Sequence, residues 1–238
     1  MSEREHERIP YRVHVEFRTA SSFLVAYSVN LSRGGLFLET DEDLPTGAVV
    51  ELDFRVPGLS DMISLAGMVT WRRPPESPEG PPGLGIEFQD VAPALGATID
   101  RLVTAFHGVH ILVLSGDRQD RTTLARLIKS IISTAEIVQA ADAGVARSLM
   151  SGELDLAVID VDFDTDGALA ALRAAKEQTP PVPTVAISTN PKLRESARAA
   201  GADELGSNPP AFAELQLLLV RALSKPVVVR QSVLPPPT

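Results

Sequence analysis

A short polar turn between two apolar stretches carries the first residues that can bind a ligand. Asn30 and Ser32 stand two positions apart and are followed by Gly34 and Gly35. An amide both donates and accepts hydrogen bonds, a hydroxyl adds a rotating donor, and glycines let a ligand approach the backbone closely. The alternative is a hairpin turn whose side chains bond only their own backbone. The turn taken alone favours that alternative.

Two arginines precede this turn, where the chain is expected to be extended. Arg8 and Arg12 are four residues apart, and Pro10 between them disfavours a helix. Guanidinium groups bind phosphate in a bidentate fork, stack on aromatic faces and pair with the O6 and N7 edge of guanine. The pair can therefore grip one small multivalent anion. The alternative is a pair of surface arginines bound to Glu5 and Glu7.

Arg8-x-x-x-Arg12 followed by Asn30-x-Ser32-x-x-Gly35 resembles the two-part signature of the PilZ family. Members of that family are bacterial receptor domains for cyclic di-GMP, built on a small antiparallel β-barrel. The resemblance implies one bound dinucleotide or two stacked ones, and an arm that becomes ordered with the ligand. It assigns phosphates and guanine edges to the two arginines and the opposite side of the ligand to the turn. The implied ligand residues are Arg8, Arg12, Asn30, Ser32, Gly34 and Gly35.

The pattern of the remaining first half fits an all-β barrel. Apolar alternation predicts a strand at 13–17, a second strand over 23–29 before the turn and a third after it. Further strands are predicted at 48–56, 62–73 and 83–88, with a Pro-rich loop before the last, and Trp71 is expected to be a barrel residue. Helical spacing predicts a helix over 93–107 that packs on the barrel. A dimerising helix, and hence a homodimer, stays open as the alternative.

From Val109 onward, short apolar runs alternate with helical stretches. Strands are predicted at 109–114, 136–138, 154–159, 182–187 and 202–205, with helices around 118–132, 142–151, 166–177, 191–200 and 210–223. Five βα units of this kind indicate a flavodoxin-like, doubly wound parallel sheet. The predicted domains are a PilZ barrel with its arginine arm at 1–91, a connecting helix at 92–108, the α/β domain at 109–224 and a disordered tail at 225–238.

This second half resembles the receiver domain of bacterial response regulators. Asp155-Leu156-Ala157-Val158-Ile159-Asp160 matches the strand that ends in the phosphoacceptor, so the resemblance gives Asp160 that position. Ser188 falls where the family has its switch hydroxyl. Asn208 and Pro209 stand where the family has Lys-Pro.

The departures from the receiver pattern concern the cations. Where receivers hold magnesium with an acidic pair, this chain has Ser115 and Gly116, with only Asp117 nearby, and Asn208 replaces the lysine. Magnesium binds carboxylates and phosphate oxygens and neutralises charge during phosphoryl transfer. Without these cations we expect transfer to Asp160 to be slow. The second half is therefore predicted to be a pseudo-receiver without magnesium, and no cofactor is expected.

Two other residue patterns suggest a metal site, but neither matches a known type of site. Asp162-x-Asp164-x-Asp166-Gly167 resembles the start of an EF-hand calcium loop, but Arg173 occupies its twelfth position and a strand precedes it. The histidines show no metal-ligand spacing. We therefore predict no metal site and expect a solvated loop after Asp160.

Composition and charge exclude or disfavour several classes of function. A formal net charge of -9 disfavours general binding to nucleic acid or anionic membranes, and no apolar run is long enough to span a bilayer. The first residues are charged, so no secretory signal is expected and the chain is predicted to be cytoplasmic. The lack of cysteine excludes disulfides, thiolate metal sites and cysteine nucleophiles. No nucleophile–base pair indicates an enzyme.

The two resemblances imply a bacterial signalling protein, and three functional hypotheses remain. The leading one is a non-enzymatic cyclic di-GMP receptor whose pseudo-receiver docks an unknown protein partner or a second copy. The second is a phosphorylation-responsive regulator that uses Asp160, and the third is a structural adaptor that has lost both inputs. The arginine pair with Asn30 and Ser32 favours the first hypothesis. The residues at the receiver's cation positions count against the second.

Overall fold

The computed structural model describes residues 11–31, 34–77, 81–88, 91–150 and 153–232. The chain divides into two compact units. The first contains Met1–Phe17, Tyr27–Arg101 and Pro226–Thr238, and the second contains Arg18–Ala26 and Leu102–Lys225. Each unit thus includes a segment that lies far in sequence from its main part. Among the described residues, no helix combines the length and the apolar character needed to cross a membrane.

A six-stranded sheet forms the first unit. Its strands are β1 (Tyr11–Glu16), β2 (Gly35–Glu39), β3 (Val49–Arg55), β4 (Ile63–Arg73), β5 (Gly83–Phe88) and β11 (Val227–Ser232). Their spatial order is β11-β1-β3-β4-β5-β2, and the sheet curls into a half-barrel whose edge strands β11 and β2 contact each other. Every second residue of β1 and β2 is buried, so one face of the sheet forms the core and the other faces outward.

The sheet is mixed, which corrects the prediction of a purely antiparallel barrel. β1 pairs in parallel with β3, while the β3–β4, β4–β5, β2–β5 and β1–β11 pairs are antiparallel. The prediction of a disordered tail from 225 is also wrong for Val227–Ser232, which form β11. A run of valines has high strand propensity, and it pairs with the otherwise open edge of β1.

Helix α1 (Ala20–Val29) replaces the strand predicted over 23–29. Thr19 and Ser22 cap it reciprocally, since the Ser22 backbone N–H donates to Thr19 Oγ1 over 3.0 Å and the Thr19 N–H donates to Ser22 Oγ over 3.1 Å. Phe23 and Ala26 are buried at helical spacing. The apolar residues therefore follow a helical period, and the alternation read as a strand is coincidental.

The second unit contains a five-stranded parallel sheet between helices. Its strands are β6 (Val109–Leu114), β7 (Ala135–Ala140), β8 (Leu156–Asp160), β9 (Thr184–Ile187) and β10 (Glu204–Gly206). The helices beside this sheet are α3 (Arg118–Ile131), α4 (Ala143–Leu149), α5 (Thr165–Lys176), α6 (Pro191–Ala199) and α7 (Phe212–Leu223). Helix α2 (Val91–Thr104) belongs to the first unit as far as Arg101 and to the second unit from Leu102. The order β10-β9-β8-β6-β7 is that of flavodoxin-like folds, which confirms the predicted doubly wound parallel sheet.

Residues 18–26 are built into the second unit although they lie between two strands of the first. Arg18 donates hydrogen bonds to the carbonyl oxygens of Leu154 (2.5 Å), Met150 (3.2 Å) and Pro180. Thr19 Oγ1 donates to the carboxylate of Asp155, which also accepts the His110 N–H over 2.7 Å. Burial lowers the pKa of Arg18 and raises that of Asp155. This segment therefore fixes the amino-terminal end of β8.

Candidate functional sites

The glycine turn that carries the predicted ligand residues joins α1 to β2. The Gly34 N–H donates to Leu31 O over 2.9 Å, and the Gly35 N–H donates to Asn30 O over 3.4 Å. Gly34 has a φ of 81°, which a residue with a Cβ rarely adopts. Its carbonyl accepts the Phe88 N–H over 2.6 Å, so the turn is pinned to β5. The structure thus brings Asn30, Gly34 and Gly35 together.

Ser32, also predicted in this turn, lies outside the described residues, and so does Arg8 of the arginine pair. Arg12 is described, and it lies on the outward face of β1 because its neighbour Val13 is buried.

Arg12 is held by carboxylates of β3. Its Nη2 and Nε lie 2.6 and 3.1 Å from Glu51 Oε2, and Nε lies 3.7 Å from Asp53 Oδ2. The hydrogen bond with Glu51 and the charge of that residue raise the pKa of Arg12. Arg12 is therefore paired as the surface alternative requires, but its partners come from β3 and were not foreseen. The side chain stays 41% exposed, so an anion can still reach it.

The pair belongs to a charged ladder on the outward face of β1 and β3. Arg12, His14 and Glu16 stand opposite Glu51, Asp53 and Arg55. Asp53 is only 5% exposed, accepts a 2.5 Å hydrogen bond from Ser64 and lies 3.5 Å from His14 Nδ1. The ladder places two carboxylates beside the arginine proposed to bind phosphate.

An aromatic surface lies next to the glycine turn on the outward face of β2, β5 and β4. The rings of Phe37 and Trp71 stack with centroids 5.1 Å apart and planes 9° from parallel, and the Arg73 guanidinium lies 4.4 Å from the Phe37 centroid. Gly85 stands between them in register, and any Cβ there would overlap the Trp71 ring. Trp71 belongs to β4, as expected of a barrel residue, and its side chain is 45% exposed on the outward face.

In the second unit, Asp160 ends β8 inside a ring of neutral donors. Its Oδ2 accepts from Ser115 Oγ over 2.9 Å, and its Oδ1 accepts from Asn208 Nδ2 over 3.1 Å and from the Asp162 N–H over 3.0 Å. Burial raises the pKa of Asp160 above its usual range, and the nearby carboxylates of Asp162 and Asp120 add to that rise. Asp160, Ser115 and Asn208, which the receiver resemblance singled out, thus lie in contact with one another. None of the groups that donate hydrogen bonds to Asp160 carries a positive charge.

Ser188 contacts Asp162 rather than Asp160. Its hydroxyl donates to Asp162 Oδ1, while the Thr189 N–H (2.8 Å) and Asn208 Nδ2 (3.2 Å) donate to Asp162 Oδ2. Burial alone would raise the pKa of Asp162, but these hydrogen bonds outweigh it and lower the pKa. Asp162 is consequently the carboxylate that stays ionised, beside the harder-to-ionise Asp160.

Asp117, the acidic residue that follows β6, has a structural role at the start of α3. Asp117 caps α3, because its Oδ1 accepts the Gln119 and Asp120 N–H groups over 2.7 and 2.9 Å. The ring of Phe163 lies against Gly116, and any Cβ at position 116 would overlap that ring. Phe163 therefore fills the space that a side chain at position 116 would need.

The EF-hand-like carboxylates are used within the fold. Asp162 takes the hydrogen bonds just described, and Asp164 caps α5 by accepting the Gly167 N–H over 3.1 Å. Within the ranges that the structure describes, no cluster of three or more His, Asp or Glu side chains could hold a metal ion. The side chains that donate hydrogen bonds to Asp160 are the hydroxyl of Ser115 and the amide of Asn208, and neither is the carboxylate that magnesium prefers.

Comparison with protein families places the first part of the chain. Residues 2–105 match the PilZ domain, so this part of the chain carries a PilZ domain. With the strand order of the second unit, this confirms a PilZ domain followed by a receiver-like domain. None of the curated proteins searched matches the chain.

Solved structures similar to the chain are receiver domains and related proteins. The signal receiver domain of a DNA-binding response regulator from Colwellia psychrerythraea has 16% identity and a TM-score of 0.44, covering 49% of this chain and 99% of its own. The receiver domain of a sensor histidine kinase from Pseudomonas aeruginosa, with magnesium in its active-site cleft, has 24% identity and a TM-score of 0.45, covering 50% and 99%. A pilus assembly-related protein from Burkholderia pseudomallei has 25% identity and a TM-score of 0.44, covering 50% and 92%.

Sequence reasoning missed Glu51, Phe37 and Phe163. The first two alternate with buried residues along β3 and β2, so strand periodicity marks them as outward-facing. Their meeting with Arg12 and Trp71 depends on strand order and register, which local patterns do not specify. Phe163 follows β8 directly, and nothing in the local sequence signals that its ring covers Gly116.

Proposed function

We infer that this protein is a non-enzymatic receptor for cyclic di-GMP that signals through protein–protein contact. The observation that carries this proposal is the outward-facing Arg12 in a PilZ domain that also carries the Asn30–Gly35 turn. The receiver-like unit then serves as the contact module and receives no phosphoryl group.

The outward face of the first unit suits a purine dinucleotide. The stacked rings of Phe37 and Trp71 offer a flat apolar surface, and base–aromatic stacking contributes about 1–3 kcal/mol per base in other proteins. Arg12 supplies a fork for phosphate or for a guanine edge. The turn at Gly34 and Gly35 has no side chains that would keep a base away from the backbone.

Binding exchanges one partner of Arg12 for another. In the structure the guanidinium is paired with Glu51. A phosphate carries the same kind of oxygen acceptor and needs the same fork, so ligand and Glu51 compete for Arg12. Release of the Glu51 carboxylate and ordering of the N-terminal arginine arm are then the local changes through which the ligand would alter the protein.

The proposal that Asp160 is not phosphorylated is supported by its neutral donors. Phosphoryl transfer develops negative charge on oxygens that Mg²⁺ or a lysine ordinarily neutralises. Ser115 and Asn208 donate hydrogen bonds but carry no charge, and Phe163 fills the neighbouring space. Incubation with acetyl phosphate and Mg²⁺ should therefore leave the intact mass unchanged. A stoichiometric phosphate adduct at Asp160 would instead favour a phosphorylation-responsive regulator.

The deciding experiment is calorimetric titration of the full chain with cyclic di-GMP. We expect saturable binding by the wild type and its loss in Arg8→Ala and Arg12→Ala, with melting temperatures nearly unchanged. Arg55→Ala is the matched control, because Arg55 stands in the same charged ladder and pairs with Glu16. No binding by a folded wild-type protein would favour an adaptor that has lost nucleotide binding. Equal losses in all three variants would indicate a general charge effect.

A further inference from the structure

A cavity of about 120 Å³ lies beside Asp160 in the second unit. Its apolar lining comes from α3, from the end of β9 and from the segment between β10 and α7, and consists of Leu124, Leu127, Ile187, Pro209 and Pro210. Its polar lining includes Asp160 together with Ser115 and Asn208, which both donate hydrogen bonds to that carboxylate. Sites for small molecules combine an apolar wall with a few convergent polar groups in this way.

Asp160 is a buried carboxylate beside a second acidic side chain. It is 6% exposed, and its hydrogen-bond donors, Ser115, Asn208 and the Asp162 N–H, are all neutral. Asp120 also lines the cavity, and its charge makes ionisation of Asp160 still harder. Among the residues that the structure describes, neither Asp160 nor Asp120 forms an ion pair. Because buried charges in proteins are ordinarily paired, these two carboxylates favour a cation that enters the cavity.

The arginines at this end of the sheet are engaged by the main chain. Arg121 Nη1 donates to the carbonyl oxygen of Ser115 over 2.5 Å, and Arg194 Nη1 donates to that of Ser188 over 2.6 Å. Neither arginine is among the described residues that line the cavity, and none of those lining residues is basic. A positive charge next to Asp160 is therefore more readily supplied by a ligand than by these side chains.

We propose that this cavity binds a small primary amine that carries a short aliphatic group. The ammonium has three N–H donors for the carboxylates of Asp160 and Asp120, and the aliphatic group contacts the apolar wall. The cavity suits a group of about four carbons, since an apolar cavity of about 150 Å³ in another protein accepts one benzene ring. The second unit thereby gains a chemical input of its own, which does not depend on the nucleotide proposed for the first unit.

The binding test uses isobutylamine as the probe and the full-length protein at near-neutral pH. Isobutanol is the neutral comparison of the same size, and methylamine keeps the charge but lacks the aliphatic group. We expect isobutylamine to shift the backbone amide resonances around Asp160 saturably, with a Kd on the order of 1 mM, and each comparison compound to bind at least about fivefold more weakly. Equal binding by either comparison compound, or no saturable shift with isobutylamine, would overturn the proposal. Mg²⁺ that binds here and prevents amine binding would overturn it in favour of a metal site.

Two variants with matched controls assign the charge to Asp160. Asp160→Asn keeps the size of the side chain, and we expect it to weaken isobutylamine binding roughly tenfold, as the loss of a charge-assisted contact implies. Its control is Asp166→Asn, which removes the same charge from an exposed residue outside the lining.

Asn208→Lys supplies an ammonium from the chain itself, because Asn208 Nδ2 already lies 3.1 Å from Asp160 Oδ1. This variant should abolish isobutylamine binding. Its control is Thr122→Lys, which places the same charge on α3 outside the lining and should bind within about twofold of the wild type. Wild-type affinity in folded Asp160→Asn or Asn208→Lys protein would overturn the site. Equal losses in the variants and their controls would overturn it as well, because they would show a general attraction of charge.

Discussion

The Arg12 guanidinium lies 2.6 Å from the Glu51 carboxylate, on neighbouring parallel strands. The residue proposed to bind the ligand is therefore already part of an ion pair within the sheet. Ion pairs between side chains that keep contact with solvent contribute little to stability. The pair can therefore open without unfolding the strand, and its main effect is on the affinity for an anion.

Glu51→Gln should tighten the binding of cyclic di-GMP. The amide keeps the size of the side chain but lacks the charge that competes with phosphate for Arg12. We expect an affinity gain of about two- to fivefold, larger at low ionic strength because salt screens exposed charges. Calorimetric titration at two salt concentrations measures both effects.

The control for this change is Glu16→Gln on the same face. Glu16 lies 3.8 Å from Arg55, and this register pair is four pairs along from the pair of Arg12 and Glu51. The Glu16→Gln substitution removes one negative charge from the same ladder but leaves the partners of Arg12 unchanged. An equal gain in both variants would show that overall charge, and not competition for Arg12, sets the affinity.

Gly116→Ala should destabilise the protein through Phe163. A Cβ at position 116 overlaps the ring, which must move. Phe163 is 67% exposed, so the ring can turn toward solvent, and we expect a loss near the lower end of about 1–3 kcal/mol. In a Phe163→Ala background the same change should cost much less. Urea unfolding of the wild type, the two single variants and the double variant gives the coupling free energy between positions 116 and 163. Additive losses of stability would show that the ring does not restrict position 116.

The second unit was predictable from sequence because its central strands are buried on both faces. Runs such as Val109–Leu114 and Leu156–Asp160 read as continuous apolar segments, and the intervening helices end within a few residues of their predicted limits. The PilZ signature was likewise readable, since it depends on residue types at fixed spacing. The receiver resemblance pointed to Asp160, Ser115 and Asn208, but not to the contact of Ser188 with Asp162 or to the position of Phe163.

The rest of the first unit depends on distant parts of the chain. The alternation from Phe23 to Val29 resembles a strand, but capping by Thr19 and Ser22 and the fit of residues 18–26 into the second unit favour a helix. The C-terminal valines resemble a tail until an open strand edge is available for them. Tertiary partners of this kind override local propensity and cannot be read from one segment.

Arg18→Ala should destabilise the second unit although the residue directly follows the first segment of the first unit. Removal of its guanidinium leaves the carbonyl oxygens of Met150, Leu154 and Pro180 without this donor, and we expect a loss of about 1–3 kcal/mol. Arg18→Lys should recover only part of it, because an ammonium cannot reproduce the planar fork. Hydrogen exchange should become faster near Met150 and Leu154. Unchanged protection there would contradict the role of residues 18–26 in the second unit.

Asp160→Asn should stabilise the protein increasingly as pH rises. Burial raises the folded-state pKa of Asp160 above the ordinary value of 3.8, so the folded state favours the protonated form. The associated stability is fully present below pH 3.8 and is lost as the pH rises through the folded-state pKa. An amide keeps an acceptor for Asn208 and can donate to the rotating hydroxyl of Ser115. The advantage of the variant over the wild type should therefore grow as the pH rises above 3.8.

Asp162→Asn should change the pH dependence of stability in the opposite direction. Hydrogen bonds lower the folded-state pKa of Asp162, so its carboxylate stabilises the protein above pH 3.8 and loses that effect as the pH falls through the folded-state pKa. The variant should be less stable than the wild type near neutrality, and the difference should fade in acid. Urea unfolding across the pH series measures both variants. Parallel pH profiles would show that the two neighbouring carboxylates do not differ in their preferred charge, and would remove the electrostatic reason for an Asp160 that resists phosphorylation.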